Sequence, residues 1–143
     1  MDFIKHVEIR WSDLDPNYHL RHSAYYDFGA YCRICFLHEN NVTDRLMREL
    51  EIGPVLFREE CFFKREIIFG DRVKINLKLK SVSADFRKFS MTHEIFKNET
   101  ETAALLIVDG AWIHTRLRKV IIPPEIIIKS FNVLAKTEDF KIM

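Results

Sequence analysis

The side chains best suited to chemistry lie in one polar segment, residues 12–22, which is dense in Asp, Asn, His and Arg. Its irregular pattern and Pro16 predict a loop, where binding and catalytic residues are common. Two of its side chains, Asp13 and Asp15, could act as a general base on water or attack an electrophile directly. Aspartate also caps many turns before proline, so a structural role is open for both.

Two histidines in the same segment, His19 and His22, raise the alternatives of a metal site or a general base. Their spacing would fit one face of a helix, but both precede the helix that the sequence predicts. No third ligand is evident nearby, whereas zinc sites use three or four protein ligands. We therefore predict no metal site, and both histidines could simply order the loop.

The cysteine pattern predicts packing rather than chemistry. Cys32 and Cys35 form a C-x-x-C pair, and Cys61 completes an odd count that offers no disulfide framework. A redox pair would place its first cysteine at an exposed helix start, whereas Cys32 lies well inside a predicted apolar helix. We expect both sulfurs to pack as small hydrophobic groups.

Length and composition favour one domain spanning residues 1–143. Apolar residues make up 48% of the chain, and 22 Lys plus Arg against 21 Asp plus Glu give a net charge of +1. That balance argues against wrapping of nucleic acid and against a polybasic membrane anchor. The longest apolar run, residues 103–108, is too short to span a bilayer, and the opening residues do not predict a signal peptide. We expect a cytoplasmic protein without membrane or nucleic-acid partners.

A local excess of basic residues lies between Lys64 and Lys88, with eight Lys or Arg against three acidic residues. Such side chains at a sheet edge can bind phosphate groups. They can equally form a solvated strand face or protect an edge strand from aggregation. Aromatic residues do not alternate with these charges as a stacking platform for single-stranded nucleic acid requires.

The elements around the polar loop follow from hydrophobic periodicity. Alternation predicts a first strand over Phe3–Trp11, and helical spacing after the loop predicts a helix over Ala24–Leu37 with Ser23 as its N-cap. That helix is apolar nearly all round, which is typical of a helix covered on several sides. A second short helix is predicted over Thr43–Leu50, capped by Thr43 and ended by Gly53-Pro54.

After the second helix the hydrophobic period changes to two, which is typical of strands with one buried face. The clearest strands are residues 73–80, 89–95 and 103–114, and turns separate them. Pro123-Pro124 would end the sheet, and residues 125–135 predict a short helix. The order predicts an α+β fold in which one antiparallel sheet wraps around the long helix and a second subunit covers the rest of it.

Three segments of the chain carry a family pattern. The first and most specific is Ile9–Tyr26, in which a strand ends in Asp-Leu-Asp-Pro before a helix that opens with tyrosine. The second is Phe63–Val73, with an arginine, an aromatic residue and Gly-Asp; the third is Asp109–His114, followed by Pro-Pro-Glu. With these segments the chain, over roughly residues 5–128, resembles the hotdog-fold acyl-CoA thioesterases, specifically the 4-hydroxybenzoyl-CoA thioesterase-like family.

The resemblance implies a hotdog fold and hydrolysis of a fatty or aromatic acyl-CoA, with no cofactor beyond the coenzyme A of the substrate. It also implies two subunits with their sheets edge to edge, hence a homodimer or homotetramer, with active sites at the subunit interface. Asp15 matches the family's catalytic carboxylate, and the backbone N–H near His22 would hold the thioester carbonyl. Four further residues are the implied substrate-binding positions: Tyr18, Tyr25, Lys64 and Arg65.

Asp13 competes with Asp15 for the catalytic role, and we expect it to serve instead as a hydrogen-bonding residue of the loop. A carboxylate is a weak base in water, and apolar surroundings from Trp11, Tyr18 and Tyr25 would strengthen Asp15. Many members of the family have glycine where this chain has Tyr18, which predicts a different loop backbone and a narrower pocket.

Two alternative functions stay open within the same fold. One is a non-catalytic dimer that binds acyl-CoA or an acyl-carrier protein. The other is a dehydratase that would pair His19 or His22 with Asp27 on the helix.

Overall fold

The chain folds into one curved sheet with a long helix packed against it, in a computed structural model that describes residues 2–143. The helices are α1 (His22–Glu39), α2 (Asp44–Leu50) and α3 (Glu125–Val133). The strands are β1 (Phe3–Val7), β2 (Ile52–Phe63), β3 (Val73–Val82), β4 (Lys88–Lys97), β5 (Glu101–His114), β6 (Lys119–Val120) and β7 (Lys136–Ile142). The predicted α+β architecture, an antiparallel sheet around a helix, is confirmed.

The strand order is β1-β3-β4-β5-β2, and each neighbour in that path is antiparallel. The short β6 pairs with the end of β5. Strand β7 pairs in parallel with the last residues of β3, which follow the part of β3 that pairs with β1. One edge of the sheet is therefore covered by β1 and β7. At the other edge, within residues 2–143, no strand pairs with the outer side of the twelve-residue β2.

Alternating side chains of the central strands face α1 and form the core. On β3 the inward positions are at most 2% exposed, whereas the lysines between them are half-buried, as the period of two predicts. Burial of each large aliphatic side chain stabilises the fold by about 1.5–3 kcal/mol. The inward residues of β3 are Val73, Ile75, Leu77 and Leu79.

Helix α1 buries one face, not its whole circumference. The buried positions recur at helical spacing, and the opposite face leaves Tyr31 49% and Ile34 39% exposed. The sequence predicted that α1 is covered on several sides. Within a single chain the sheet covers one face of the helix, and the opposite face is exposed. The predicted packing role of Cys32 is confirmed, because it is fully buried among the side chains facing the sheet: Ala24, Phe28 and Phe36.

The helix boundaries differ in part from those predicted. Helix α1 begins at His22 rather than at Ala24, its N-cap is Arg21, and no side chain caps it, so the prediction that Ser23 is the cap is wrong. Thr43 does cap α2, because its hydroxyl accepts a hydrogen bond from the Leu46 N–H at 3.1 Å. None of the helices within residues 2–143 has the length and apolar character needed to cross a membrane.

The predicted end of α2 at Leu50 is confirmed, but Gly53-Pro54 is not what ends the helix. The helix ends at Leu50, and Glu51 closes it in a left-handed conformation with φ of 55°. Because this one residue reverses the chain, Gly53 and Pro54 are free to enter β2. Pro54 is tolerated there because β2 is an edge strand.

The predicted first strand, Phe3–Trp11, ends early, at Val7. Residues 11–13 form a single 3₁₀ turn instead, and Trp11 is 78% exposed. The turn forms because the Asp13 carboxylate accepts hydrogen bonds from the backbone N–H and the guanidinium of Arg10. Strand β7 was not predicted at all, because its sequence alternates poorly and only Thr137 and Phe140 are half-buried.

Candidate active site

The polar loop before α1 is a tight β-hairpin. The Asp15 N–H donates to the His19 carbonyl at 2.8 Å, and the Tyr18 N–H donates to the Asp15 carbonyl at 2.9 Å. Tyr18 has φ of 66°, the left-handed conformation that glycine adopts most easily. Tyrosine at this position therefore adopts a conformation that glycine would adopt more easily.

Asp13 holds this loop in place. Its side chain is 1% exposed, and it contacts the guanidinium groups of Arg10 at 2.9 Å and Arg21 at 3.8 Å. The hydrogen bond from Arg10 lowers the pKa of Asp13 below its usual 3.8, so the carboxylate is ionised at neutral pH. The Arg21 N–H donates to the Asp13 carbonyl at 2.7 Å, which joins the loop to the start of α1. The prediction that Asp13 is a hydrogen-bonding residue of the loop is confirmed.

Asp15 is half-buried, and its carboxylate is oriented by the backbone. Its Oδ1 accepts hydrogen bonds from the N–H groups of Asn17, at 2.8 Å, and His19, at 3.1 Å. The other oxygen, Oδ2, has no hydrogen-bond partner within residues 2–143. Asp15 thus caps the turn with one carboxylate oxygen, Oδ1, and keeps the other, Oδ2, free.

The first turn of α1 presents backbone N–H groups next to this carboxylate. Within residues 2–143 the N–H groups of His22 and Ser23 have no acceptor. That of Ala24 donates to the Arg21 carbonyl at 3.0 Å, and no side chain caps the helix. The Arg21 guanidinium contacts the Ser23 hydroxyl, which leaves the helix start free of a side-chain acceptor. Uncapped N–H groups and the helix dipole favour negative charge at this point.

The end of β2 forms the opposite wall. The Tyr25 ring packs edge-on against Phe63, with ring centres 5.0 Å apart and planes at 90°. Burial raises the pKa of Tyr25 to about 12, so its hydroxyl is protonated at neutral pH and can donate a hydrogen bond. The N–H groups of Lys64 and Arg65 both donate to the Ala103 carbonyl, which fixes the backbone that carries these two charges.

These walls enclose an open cavity of about 330 Å³. It brings together five of the six residues proposed from the sequence; Tyr18 does not line it and its side chain is 68% exposed. Trp11 does not line it either, so of the three aromatic residues expected around Asp15 only Tyr25 does. The lining residues are Asp15, His19, Leu20, His22, Tyr25, Phe63, Lys64, Arg65 and Glu66.

Three lining residues were missed in the sequence: Leu20, Phe63 and Glu66. The last two flank Lys64 and Arg65, so their position beside two basic residues was the available signal. Glu66 lies 3.6 Å from His19, between its Oε2 and the ring Nε2, and so joins the loop to the end of β2.

The alternative uses of the histidines receive little support from the geometry. Within residues 2–143 no group of three or more His, Cys, Asp or Glu side chains is placed to hold a metal ion. Asp27 does not line the cavity; it contacts Arg21 at 3.5 Å and its side chain is 64% exposed. The pairing of His19 or His22 with Asp27 that a dehydratase would need is therefore not formed in this cavity.

Comparison with known structures gives the same architecture at low sequence identity. A protein from Staphylococcus aureus, solved in complex with CoA, is 15% identical, with a TM-score of 0.86 over 96% of this chain and 87% of that one. A 1,4-dihydroxy-2-naphthoyl-CoA thioesterase from Synechocystis is 17% identical, with a TM-score of 0.83 over 94% and 98%. A thioesterase from Thermus thermophilus, solved with coenzyme A and zinc, is 22% identical, with a TM-score of 0.76 over 90% of each chain. The likeness shows the hotdog fold.

Comparison at the level of sequence identifies the family. No curated protein matches the chain significantly. The family model of the thioesterase-like superfamily matches residues 9–130, which include the polar loop, α1 and the end of β2 that together form the cavity. The chain therefore belongs to the thioesterase-like superfamily.

Proposed function

We propose that this protein hydrolyses an acyl-CoA thioester to the free acid and CoA, with Asp15 as general base or nucleophile. The observation that carries the proposal is the cavity in which the Asp15 carboxylate, the uncapped start of α1 and two basic side chains meet. Family membership and the CoA-bound neighbours support the substrate class.

The chemistry divides between the two sides of the cavity. The thioester carbonyl oxygen would accept hydrogen bonds from the first-turn N–H groups near His22, where negative charge is stabilised as it develops. Asp15 Oδ2 would take a proton from water as the water oxygen adds to the carbonyl carbon. The carbon–sulfur bond then breaks, and the departing CoA thiolate recovers that proton from the aspartic acid.

A second route uses the same groups. An Asp15 oxygen would attack the carbonyl carbon directly, and CoA would leave as the thiolate. Water would then hydrolyse the resulting anhydride to the free acid and the Asp15 carboxylate, and the proton released in that step would pass to the CoA thiolate. The Tyr25 hydroxyl, protonated at neutral pH, is a further hydrogen-bond donor beside either reaction.

Lys64 and Arg65 would bind the phosphates of CoA. Both side chains are exposed at the mouth of the cavity. Arg65 lies 3.5 Å from Glu101, a weak, exposed ion pair that a phosphate could replace. A guanidinium binds phosphate through two parallel hydrogen bonds, so Arg65 is the stronger candidate of the two.

We propose a homodimer, or a tetramer built from two of them, formed along β2. The outer side of β2 carries exposed Phe57 and Phe62, and the adjacent Phe63 enters the cavity. Pairing of this edge with a second copy would cover these rings and bring another chain beside the active site. Cys32, Cys35 and Cys61 are unpaired thiols, which supports action in a reducing compartment such as the cytoplasm.

The test is thiol release from acetyl-, hexanoyl-, palmitoyl- and benzoyl-CoA by the wild type, Asp15→Asn and Asp27→Asn. Asp27→Asn is the matched control because that carboxylate is exposed near the helix start but does not line the cavity. Turnover that collapses only in Asp15→Asn supports the assignment. Turnover that survives in Asp15→Asn moves the base to another residue.

Two further outcomes decide between the alternative functions. Thermal stabilisation by acyl-CoA without thiol release would favour a binding protein. Action on 3-hydroxyacyl or enoyl thioesters in place of hydrolysis would favour a dehydratase. For an active enzyme, a single turnover in heavy-oxygen water separates the two routes, because label enters the Asp15 carboxylate only if Asp15 is the nucleophile.

A further inference from the structure

A second cavity lies between the far half of α1 and the sheet, with a volume of about 210 Å³. Its walls are almost entirely apolar and come from α1, β2, β3, β4, β5 and α3. Leu56, which is 38% exposed, lies at its opening on the edge strand. Among the lining residues Arg33 is the one that carries a charge.

Arg33 has no anionic partner. Its Nη1 contacts His93 Nε2 at 2.9 Å, and His93 Nδ1 contacts the Asn76 carbonyl at 2.7 Å. Because a carbonyl only accepts, Nδ1 carries the hydrogen and Nε2 accepts from Arg33. Complete burial lowers the pKa of His93 to about 3, so this partner is neutral. Within residues 2–143 Arg33 forms no salt bridge, and the exposed Glu59 acts on it only at longer range.

Gly29 leaves space for the Arg33 guanidinium because glycine has no side chain. It lies one helical turn before Arg33, and a Cβ at that position would come within 3.1 Å of Arg33 Nη1 and 3.3 Å of the His93 ring. A residue with a side chain at position 29 would therefore crowd the space in which the guanidinium contacts His93. This arrangement holds a half-buried cation beside a neutral histidine, where an unpaired charge is costly.

Trp112 is a second lining residue with a polar atom. The residue is 1% exposed, and its ring packs against Phe89 and Phe131 with centre distances of 6.3 and 6.1 Å. Among residues 2–143 its Nε1 is the single buried side-chain nitrogen or oxygen without a hydrogen-bond partner. The residue lines the cavity, but Nε1 itself is covered by its neighbours, so Trp112 contributes apolar surface to the wall.

This cavity is separate from the Asp15 cavity. The two share no lining residue, and Arg33 lies eleven positions after His22, roughly 16 Å further along α1. The inference below therefore rests on the Arg33 cavity alone and does not depend on the proposed thioesterase activity.

We propose that the Arg33 cavity binds a small apolar monocarboxylate. The carboxylate supplies the charge that Arg33 lacks and accepts from the guanidinium, which is suited to a two-oxygen acceptor. The apolar body of the ligand packs against Leu77, Met91 and Phe131. The Trp112 ring adds a further apolar contact from the wall.

The volume sets the size of the ligand. A cavity of about 150 Å³ holds one benzene ring, so about 210 Å³ corresponds to roughly eight non-hydrogen atoms. Hexanoate has that size and benzoate is close to it. A palmitoyl chain is far too large for this cavity.

The test uses the fluorescence of Trp112 in a Trp11→Phe background, which leaves Trp112 as the only tryptophan. Titration with sodium hexanoate should give a saturable change in emission. Arg33→Gln, which removes the charge but keeps a donor for His93, should weaken hexanoate binding by about tenfold or more. Arg45→Gln is the matched control, because that arginine is exposed on α2 and should leave the affinity unchanged.

A neutral ligand and a second variant make the outcome decisive. Hexan-1-ol should bind more weakly than hexanoate, and Arg33→Gln should not change its affinity. Asp15→Asn should bind hexanoate as the wild type does, whatever happens to its thioesterase activity. The proposal is overturned by absence of a saturable signal, by equal binding of the alcohol, by unchanged affinity in folded Arg33→Gln, or by loss of binding in Asp15→Asn.

Discussion

The two cavities beside α1 differ in how they are built. The Asp15 cavity takes its walls from two short stretches, residues 15–25 and 63–66, and most of its polar groups touch solvent. The Arg33 cavity takes one to three residues from each of six elements, and its charged residue, Arg33, is half-buried. The first is suited to a reaction that needs water and charged phosphates, whereas the second is suited to a small ligand bound without reaction.

The difference also lies in how the polar groups are satisfied. Asp13 and Asp15 belong to a loop whose hydrogen bonds are made by its own neighbours. Arg33 and Trp112 are incompletely satisfied by the protein, since one lacks a counter-ion and the other lacks an acceptor. The first cavity is therefore preformed, whereas the second gains part of its stability when a ligand is bound.

The largest effect is expected at Asp13, which tests whether the first cavity is preformed. Asp13→Asn removes charge-assisted hydrogen bonds from Arg10 and should cost about 2 kcal/mol at neutral pH. The folded-state pKa of Asp13 is depressed, so its stabilising contribution is present above 3.8 and is lost as the pH falls through the folded-state value. Urea unfolding across this pH range should therefore show a difference in the free energy of unfolding between the wild type and Asp13→Asn. That difference should disappear in acid. A difference that persists or grows in acid would show that the carboxylate does not hold the loop by its charge.

Arg65 tests the proposed use of the first cavity. Arg65→Gln should raise KM for hexanoyl-CoA by about tenfold with little change in kcat, because a phosphate contact binds substrate and transition state alike. Arg72→Gln is the control, since Arg72 is exposed and pairs with Glu99 outside the cavity. An equal rise in KM for both variants would mean that general charge, not a defined phosphate site, attracts the substrate.

The sequence predicted the two cavities unequally. Asp15, His22 and Tyr25 lie within a single loop and helix, so the sequence groups them, but the family resemblance was needed to give them roles. Lys64 and Arg65 joined them through the family resemblance. Arg33 and His93 are sixty residues apart, and their contact depends on the register of β3 and β4 against α1, which no local pattern contains.

The local structure differs from the prediction where one residue outweighed the sequence pattern, at the end of the first strand and in what ends α2. Asp13 converted the predicted end of the first strand into a 3₁₀ turn by accepting from Arg10. Glu51 ended α2 by entering the left-handed region, where only glycine or asparagine would have been expected. Strand β7 depends on pairing with β3, and its own residues alternate too weakly to predict a strand.

Gly29→Ala tests the second cavity with a smaller change. The added methyl group should displace the Arg33 guanidinium from His93 and weaken hexanoate binding roughly fivefold. Alanine also favours the helix by about 1 kcal/mol over glycine, which should offset most of the crowding, so thermal stability should change little. Unchanged binding with an unchanged melting temperature would mean that the guanidinium need not lie against His93.

The smallest effect is expected for Tyr18→Gly, which separates the conformation of the loop from the side chain that it carries. Glycine relieves the left-handed strain at φ of 66° but frees the unfolded chain, so the free energy of unfolding should rise by only about 0.5 kcal/mol. Thiol release should stay within about twofold of the wild type, because the Tyr18 side chain does not line the Asp15 cavity of its own chain. A large change in KM in a stably folded Tyr18→Gly would instead show that this ring contacts substrate, and the natural place for that contact is the site of a partner subunit across β2. Repeating the assay at protein concentrations above and below the dissociation constant of the proposed dimer would then decide, since a contact made across subunits disappears from both proteins on dilution.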